Sequence, residues 1–151
     1  MLKEILHVGL TVSDMDKSIA FYKDILGLTF MGEIIMEGKE TDLLFNMDNV
    51  KARVSYLKGS DDLMSPPIEL IQFVGNNIIK EKSNLFKTSI SEICFKVDDI
   101  DKAYNDLLKK GVKFLSEPQY YDFTKYGFSK SKAVYFLDPD EITLELIETV
   151  D

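Results

Sequence analysis

Hydrophobic and polar residues alternate in two short segments, and a helical pattern follows each of them. Val8, Leu10 and Val12 form the first alternating set, and the second begins at Ile93 and Phe95. Period-two alternation predicts a β-strand with one face packed under a covering layer. Apolar residues then recur at helical spacing in both copies: Met15, Ile19, Tyr22 and Leu26 in the first, Ile100, Tyr104 and Leu107 in the second. A strand followed by an amphipathic helix is therefore predicted twice.

Both predicted helices carry start and stop signals. Capping-box spacing, which lets side-chain oxygens accept hydrogen bonds from free N–H groups of the first turn, occurs before each helix. The two pairs are Ser13 with Asp16, and Asp98 with Asp101. Gly27 and Gly111 stand where helices commonly end on a left-handed residue. The segments HVGLTVSDMDKS from His7 and EICFKVDDIDKA from Glu92 thus align as an internal repeat.

Each copy of the repeat is followed by further strand patterns. The predicted strands are LTFMGEIIM, KARVSYL and PIELIQF in the first half, and VKFLSE, KAVYFLD and ITLELIE in the second. The segment GKETDLLFNMD predicts a short helix after the first of these strands. We therefore expect an α+β fold of two tandem βαβββ modules, 1–75 and 90–151, joined by a polar connector at 76–89 and together forming one domain.

Composition excludes several classes of function. The chain has 151 residues and a net charge of −8, which disfavours binding to nucleic acid or to an anionic membrane. It has no apolar run of the ~18 residues that a membrane span needs, and no N-terminal pattern typical of an export signal. Its single cysteine, Cys94, precludes an internal disulfide. We expect a cytoplasmic protein whose partner is a small molecule.

The sequence resembles the vicinal oxygen chelate superfamily, the group of glyoxalase I, methylmalonyl-CoA epimerase, extradiol dioxygenases and bleomycin-resistance proteins. The resemblance covers nearly the whole chain and rests on the segments HVGLTVSDMDKSIAFYKDILGL, IELIQF, FKVDDIDKAYNDLLKKGV and YFLDPDEITLELIE. It implies paired βαβββ modules whose sheets curve into a cup around a divalent metal ion. Since fold alone does not fix the reaction, the site has to be considered separately.

The resemblance implies four metal-ligand positions, one on the first and one on the last strand of each module: His7, Glu69, Glu92 and Glu145. Strand parity agrees, because each of them alternates with apolar neighbours and so faces away from them. The residues alone also allow an ordinary alternative, in which the histidine is structural and the three glutamates point into solvent from a half-wet sheet.

Glu92 departs from the superfamily pattern, which often has histidine at that position. The resulting set of one imidazole and three carboxylates shifts preference towards Mn, Mg, Ni or Fe and away from a Zn site rich in nitrogen or sulfur. We expect a divalent metal ion, one of Mn, Ni, Co, Mg, Fe or Zn. Three ionised carboxylates would leave the site negative. One carboxyl is therefore expected to be protonated, to lie outside the ligand set, or to act as a base.

The function that the resemblance implies is that of a metal-dependent lyase or isomerase, of the glyoxalase or epimerase type. Such an enzyme removes a proton beside a metal-coordinated oxygen of a small 2-oxo compound or thioester. Glu145 would be ligand and base, with Glu92 as the competing base. A single histidine argues against an Fe(II) dioxygenase with two histidine ligands. The alternatives are a non-catalytic protein that sequesters a ligand, as bleomycin-resistance proteins do, and an enzyme that has lost its activity.

Four further residues are candidates for substrate binding: Arg53, Tyr121, Tyr126 and Lys132. Tyr121 and Tyr126 belong to EPQYYDFTKYGFSKSKA, which predicts one long loop that either walls the substrate or folds over its own aromatic cluster. Arg53 could clamp a substrate carboxylate, although a structural salt bridge is the simpler interpretation. Lys132 could meet a phosphate or carboxylate or be solvated. By the same resemblance we expect a homodimer.

Overall fold

The computed structural model describes residues 5–59 and 67–150 and divides the chain into two compact units, Met1–Lys80 and Glu81–Asp151. Each unit contains one mixed sheet and one longer helix. Within the described residues, no helix is both long and apolar enough to cross a bilayer.

The first unit has the element order β-α-β-β-β with one additional short helix. Its elements are β1 (Val8–Thr11), α1 (Met15–Ala20) with a π-helical continuation (Phe21–Ile25), β2 (Thr29–Glu37), α2 (Lys39–Phe45), β3 (Lys51–Lys58) and β4 (Ile68–Phe73). The strand order in the sheet is β1-β4-β3-β2, with β1 parallel to β4 and the other pairs antiparallel. The first and last strands of the unit are therefore hydrogen-bonded neighbours.

The second unit repeats this arrangement. Its elements are β5 (Ile93–Lys96), α3 (Ile100–Lys109), β6 (Lys113–Phe114), β7 (Gln119–Asp122), a 3₁₀ turn (Thr124–Tyr126), β8 (Lys130–Leu137) and β9 (Thr143–Val150). The sheet order is β5-β9-β8-β6, and β7 also pairs with β8. As in the first unit, the first strand lies parallel to the last. The predicted α+β fold of two tandem βαβββ modules is confirmed.

Two details of the predicted second unit are wrong. The segment predicted as one long aromatic loop contains β7, because Gln119–Asp122 pairs antiparallel with Lys130–Ala133. The strand predicted at VKFLSE is reduced to Lys113 and Phe114. The aromatic segment is thus a hairpin that extends the sheet.

The helix starts also differ by one residue from the prediction. The N-caps are Asp14 and Asp99 rather than Ser13 and Asp98, because these aspartates have the extended backbone of a cap and accept hydrogen bonds from Lys17 N (3.1 Å) and Lys102 N (2.8 Å). The predicted stops are confirmed. Gly27 (φ 80°) and Gly111 (φ 84°) both have the left-handed backbone that glycine adopts without strain.

Each helix packs on one face of its sheet, and side chains that alternate along the strands fill the core. Leu10, Met15 and Leu70 are buried in the first unit, and Ile100 and Leu144 in the second. Burying a side chain of this size contributes about 1.5–3 kcal/mol. Because successive side chains of a strand point to opposite faces of the sheet, the residues next to these buried ones point to the face that the helix does not cover.

A polar residue of the last strand fastens the start of each helix. The amide of Met15 donates to Gln72 Oε1 (3.1 Å), and the amide of Ile100 donates to Glu148 Oε2 (2.8 Å). Both bonds satisfy N–H groups that a helix leaves without a partner in its first turn. The helix is thereby tied directly to the strand that ends its module.

Candidate functional site

The first unit holds an imidazole and a buried carboxylate in direct contact. Glu69 lies on β4 between Ile68 and Leu70, which are buried with the core, so its side chain points to the face opposite α1. The Nε2 atom of His7, just before β1, lies 2.6 Å from Glu69 Oε2, and the Glu69 side chain is only 11% accessible. Burying an unpaired carboxylate is costly, and the imidazole supplies a direct partner for this one.

Tyr56 completes this cluster from the neighbouring strand. In the register of the sheet, Glu69 is the Cα partner of Gly9 on one side and of Tyr56 on the other. The Tyr56 ring meets the His7 ring edge-on, with centroids 6.2 Å apart. Burial, and secondly the charge of Glu69, raise the pKa of Tyr56, so its phenol stays protonated at neutral pH.

The second unit has an equivalent row of side chains. Glu145 on β9 is the Cα partner of Cys94 on β5 and of Tyr135 on β8. Partial desolvation, a hydrogen bond to Glu145 and the charges of Glu145 and Glu92 raise the pKa of the Cys94 thiol to about 12. Burial and the same two carboxylates raise the pKa of Tyr135. Glu92, just before β5, therefore acts on the same face as Glu145.

Cys94, Tyr56 and Tyr135 were not predicted as site residues. The signal available in the sequence was weak: a tyrosine occurs near the end of the third main strand of each half, in RVSYL and in KAVYFL. Placing each tyrosine opposite a glutamate requires the pairing register of β3 with β4 and of β8 with β9, which periodicity does not give.

The donor atoms of the first unit suit a divalent cation. His7 Nε2 and Glu69 Oε2 lie 2.6 Å apart, which is a direct N···O contact, whereas adjacent ligands of an octahedral ion with bonds of ~2.1 Å lie about 3 Å apart, so the two atoms would have to separate slightly to bind one ion. Among the described residues, no three His, Cys, Asp or Glu side chains form a group that could hold a metal ion. That all four predicted ligands bind one ion stays a prediction.

Arg53, a predicted substrate ligand, is engaged by carboxylates of its own unit. Its Nε donates to Glu33 Oε1 (3.0 Å) and its Nη2 to Asp16 Oδ1 (2.7 Å), while Ser55 Oγ donates to Glu33 Oε2 (2.9 Å). These bonds raise the pKa of Arg53 and lower the pKa values of Asp16 and Glu33. The geometry is that of a structural ion pair between α1 and the sheet, so we assign Arg53 no role in substrate binding.

Lys132 also has a partner within its unit. It is the Cα partner of Glu148, which holds the start of α3, and its Nζ forms an ion pair with Asp101 on that helix. Lys132 therefore lies on the helix-covered face, away from Glu145, and we assign it no role beside Glu145.

The two predicted aromatic residues differ in placement. Tyr121 is the Cα partner of Ser131, which has the strand parity of Tyr135, so Tyr121 lies on the face of Glu145. Its ring stacks on Phe123 at a centroid distance of 5.4 Å and an interplanar angle of 8°. Tyr126 is 66% exposed, with Lys125 Nζ 4.7 Å from its ring centroid.

A protein-family model described as "Glyoxalase/Bleomycin resistance protein/Dioxygenase superfamily" matches residues 4–146. The chain belongs to this superfamily. The resemblance inferred from the sequence is thus confirmed, and the candidate clusters in both units lie within the matched range.

Relatives within the superfamily cover the chain almost completely. The uncharacterized protein YraH of Bacillus subtilis is 32% identical over 95% of this chain and 96% of its own length. The mitochondrial methylmalonyl-CoA epimerase of Homo sapiens is 32% identical over 94% of this chain and 70% of its own length. A glyoxalase family protein from Bacillus cereus has a solved structure that matches with a TM-score of 0.85 at 20% identity, covering 100% of this chain and 97% of that one. At that identity, the structural match shows the fold alone.

The glyoxalase superfamily includes enzymes, and relatives of this chain include a named epimerase. The specific reaction, the metal ion and the homodimer stay predictions.

Proposed function

We propose that the protein is a metal-dependent lyase or isomerase that removes a proton from the carbon beside a carbonyl group in a small 2-oxo compound or thioester. The observation that carries this proposal is the buried Glu69 paired with His7 at 2.6 Å, together with Glu145 at the equivalent position of the second unit. Similarity to a methylmalonyl-CoA epimerase supports the isomerase form of the reaction.

The proposed roles follow from the surroundings of each residue. His7 and Glu69 would hold a divalent ion, whose chemistry is to polarise a substrate carbonyl as a Lewis acid. Glu145 would accept the proton, or share the metal while Glu92 accepts it. Cys94 has no nucleophilic role here, because a thiol with a pKa of about 12 stays protonated at neutral pH.

A metal titration tests the first part of this proposal with a readout of its own. The chain has one histidine, so its imidazole Hε1 signal in a proton NMR spectrum belongs to His7 without ambiguity. Mn²⁺, which is paramagnetic, should broaden that signal at stoichiometric concentration in wild-type protein. The broadening should require a large Mn²⁺ excess in Glu69→Gln. Glu117→Gln is the matched control, since Glu117 is an exposed glutamate of the other unit.

A deuterium-exchange assay tests the chemistry. Protein loaded with Mn²⁺ is incubated in D₂O with a panel of 2-oxo compounds and acyl thioesters, and incorporation beside the carbonyl is followed by mass spectrometry. We expect Glu145→Gln to lower the exchange rate by at least 10²-fold, which is the usual contribution of a general base. Protein that binds none of Mn, Ni, Co, Mg and Zn, or that exchanges at the same rate without Glu145, would refute the proposal.

The second candidate is a protein that sequesters a cationic aromatic ligand. It is favoured by the Tyr121–Phe123 stack, which shares a face with Glu145 in a chain of net charge −8. Thermal-shift measurements separate the two functions, because a ligand that binds only the native state raises Tm. Stabilisation by cationic aromatic compounds but by no divalent metal would favour sequestration.

A further inference from the structure

One lysine of the second unit lies on the same face of the sheet as Glu145. Lys96 on β5 follows Cys94 by two residues, so both side chains project to the same side of the strand. Cys94 is the Cα partner of Glu145, and Lys96 is the partner of Ile147, two residues further along β9. Lys96 therefore stands about 7 Å beyond the level of Glu145, on the face that α3 does not cover.

The charge of Lys96 is not used within the protein. Its side chain is exposed and has no ion pair and no hydrogen bond among the described residues. Lys102 and Lys132 of the same unit differ, because each forms an ion pair with a carboxylate of α3. Lys113 on β6 shares the face of Lys96 but lies on the far side of β8. Lys96 is thus the lysine whose free charge lies beside the strand of Glu145.

The internal repeat does not require a lysine at this position. In the first unit Thr11 pairs with Ile71, just as Lys96 pairs with Ile147 in the second. The pairing and the apolar partner are the same in both units, whereas the charge is present in the second alone. The cation is therefore an addition to the duplicated frame.

Charged side chains divide this face along β5. Glu92 comes two residues before Cys94 and Lys96 two residues after it, so a carboxylate and an ammonium group lie on opposite sides of the thiol. The carboxylates of Glu92 and Glu145 repel an anion, whereas Lys96 attracts one. Ile147, which is half-buried, gives the Lys96 end an apolar neighbour. This arrangement suits a molecule that has an apolar segment and one anionic end.

We propose that Lys96 is a specificity residue, which binds a carboxylate of the substrate apart from the carbon that loses its proton to Glu145. A single ammonium group matches the single charge of a carboxylate. The substrate is thereby narrowed to compounds that carry a carboxylate in addition to the reacting carbonyl. This narrowing rests on the proposed function, whereas the attraction of an anion to this face is a property of the second unit alone.

Alkylation of Cys94 tests the attraction without any assumption about the reaction. Iodoacetate and iodoacetamide attack the same thiolate, but only iodoacetate is an anion, so the ratio of their rates cancels the thiolate fraction and reports local charge. We expect Lys96→Met to lower that ratio about three- to fivefold at low salt, the effect of removing one charge about 7 Å away in a largely aqueous setting. Lys109→Met is the matched control and should leave the ratio unchanged, since Lys109 is an exposed lysine of α3, on the other side of the sheet.

Deuterium exchange tests the consequence for the substrate. 2-Oxoglutarate and 2-oxovalerate have carbon chains of the same length, but only 2-oxoglutarate ends in a second carboxylate. In protein loaded with Mn²⁺, we expect Lys96→Met to lower the ratio of their kcat/KM values about tenfold or more, the usual contribution of a hydrogen bond to a charged group, and Lys109→Met to leave it unchanged. The loss should appear in KM, because a contact remote from the reacting carbon binds substrate and transition state alike.

Two results would overturn the inference: an alkylation ratio that is the same in wild type and Lys96→Met, or an exchange ratio that is the same in both. Lys96 would then be an exposed lysine of an edge strand, a type of residue that discourages pairing with other strands. If wild-type protein exchanges neither compound, the proposed function fails for these 2-oxo acids, and the alkylation ratio alone decides whether Lys96 attracts an anion.

Discussion

Cys94 provides a quantitative test of the electrostatics around Glu145. It is the chain's single cysteine and is exposed, so its alkylation rate depends on how much thiolate is present as well as on access of the reagent. With its pKa raised from 9.0 to about 12, the thiolate fraction at pH 8 falls from roughly 10⁻¹ to roughly 10⁻⁴.

This fraction sets the expected rate. A thiolate of higher pKa is intrinsically more nucleophilic, with a Brønsted coefficient of about 0.4–0.5. Over three pKa units this raises the rate constant of the thiolate by a factor of about 20, which partly offsets its lower concentration. The net expectation is that Cys94 reacts with iodoacetamide about 50-fold more slowly than the same residue in urea-unfolded protein. Mass spectrometry of quenched samples at pH 8 measures both rates. The rate in native protein should keep rising well above pH 9, where an ordinary thiol levels off.

The Glu145→Gln variant tests whether Cys94 is alkylated slowly because its pKa is raised or because the reagent has poor access to it. The variant removes both the hydrogen bond to a carboxylate and the charge, so the pKa of Cys94 should fall and alkylation should accelerate several-fold at pH 8. Glu117→Gln, which removes an exposed charge of the same unit, should leave the rate unchanged. An alkylation rate in native protein equal to that of the unfolded chain, or a Glu145→Gln rate equal to wild type, would refute the conclusion that Glu145 raises the pKa of Cys94.

Three predictions concern the frame that holds the site, and urea unfolding measures each of them. Asp99→Ala should cost about 1 kcal/mol by removing the cap of α3, whereas Asp98→Ala should be nearly neutral; equal losses would contradict the assigned cap. Gly111→Ala should lower the free energy of unfolding by about 1–2 kcal/mol because the φ of Gly111 is 84°. An unchanged urea midpoint would contradict this, since alanine would then fit the turn without strain. The pKa of Glu33, lowered by Arg53, makes wild-type stability fall as pH drops below the ordinary value of 4.5. Arg53→Gln should flatten that dependence, and a parallel pH profile would exclude the ion pair as its source.

Periodicity and spacing were sufficient for the architecture. Alternation at Val8–Val12, helical spacing from Met15 and the glycine stops are local signals, and the structure confirms the two modules that they predict. The cap positions were missed by one residue, since Ser13 and Asp14, like Asp98 and Asp99, are both good capping types and only backbone geometry decides between them.

The chemistry of the site was less accessible from sequence. Parity correctly predicted that Glu69 faces away from its apolar neighbours, yet the 2.6 Å contact with His7 depends on a parallel pairing between distant strands. Arg53 illustrates the converse. Its planar guanidinium suits a substrate carboxylate in principle, but Glu33 on the neighbouring strand and Asp16 on α1 accept hydrogen bonds from its Nε and Nη2. Which carboxylate an arginine meets is set by register, and register is a tertiary property.

The bonds from Gln72 to Met15 and from Glu148 to Ile100 have a consequence for the order in which the protein can form. They join residues separated by 57 and 48 positions, and in each unit the parallel pairing of first and last strands spans a similar distance. Contacts of long sequence separation slow folding because a large loop must close before they form. Each module can therefore complete itself only after the ribosome has released its final strand. The strands of the amino-terminal module are all synthesised before those of the second module, so the two modules can form one after the other during translation.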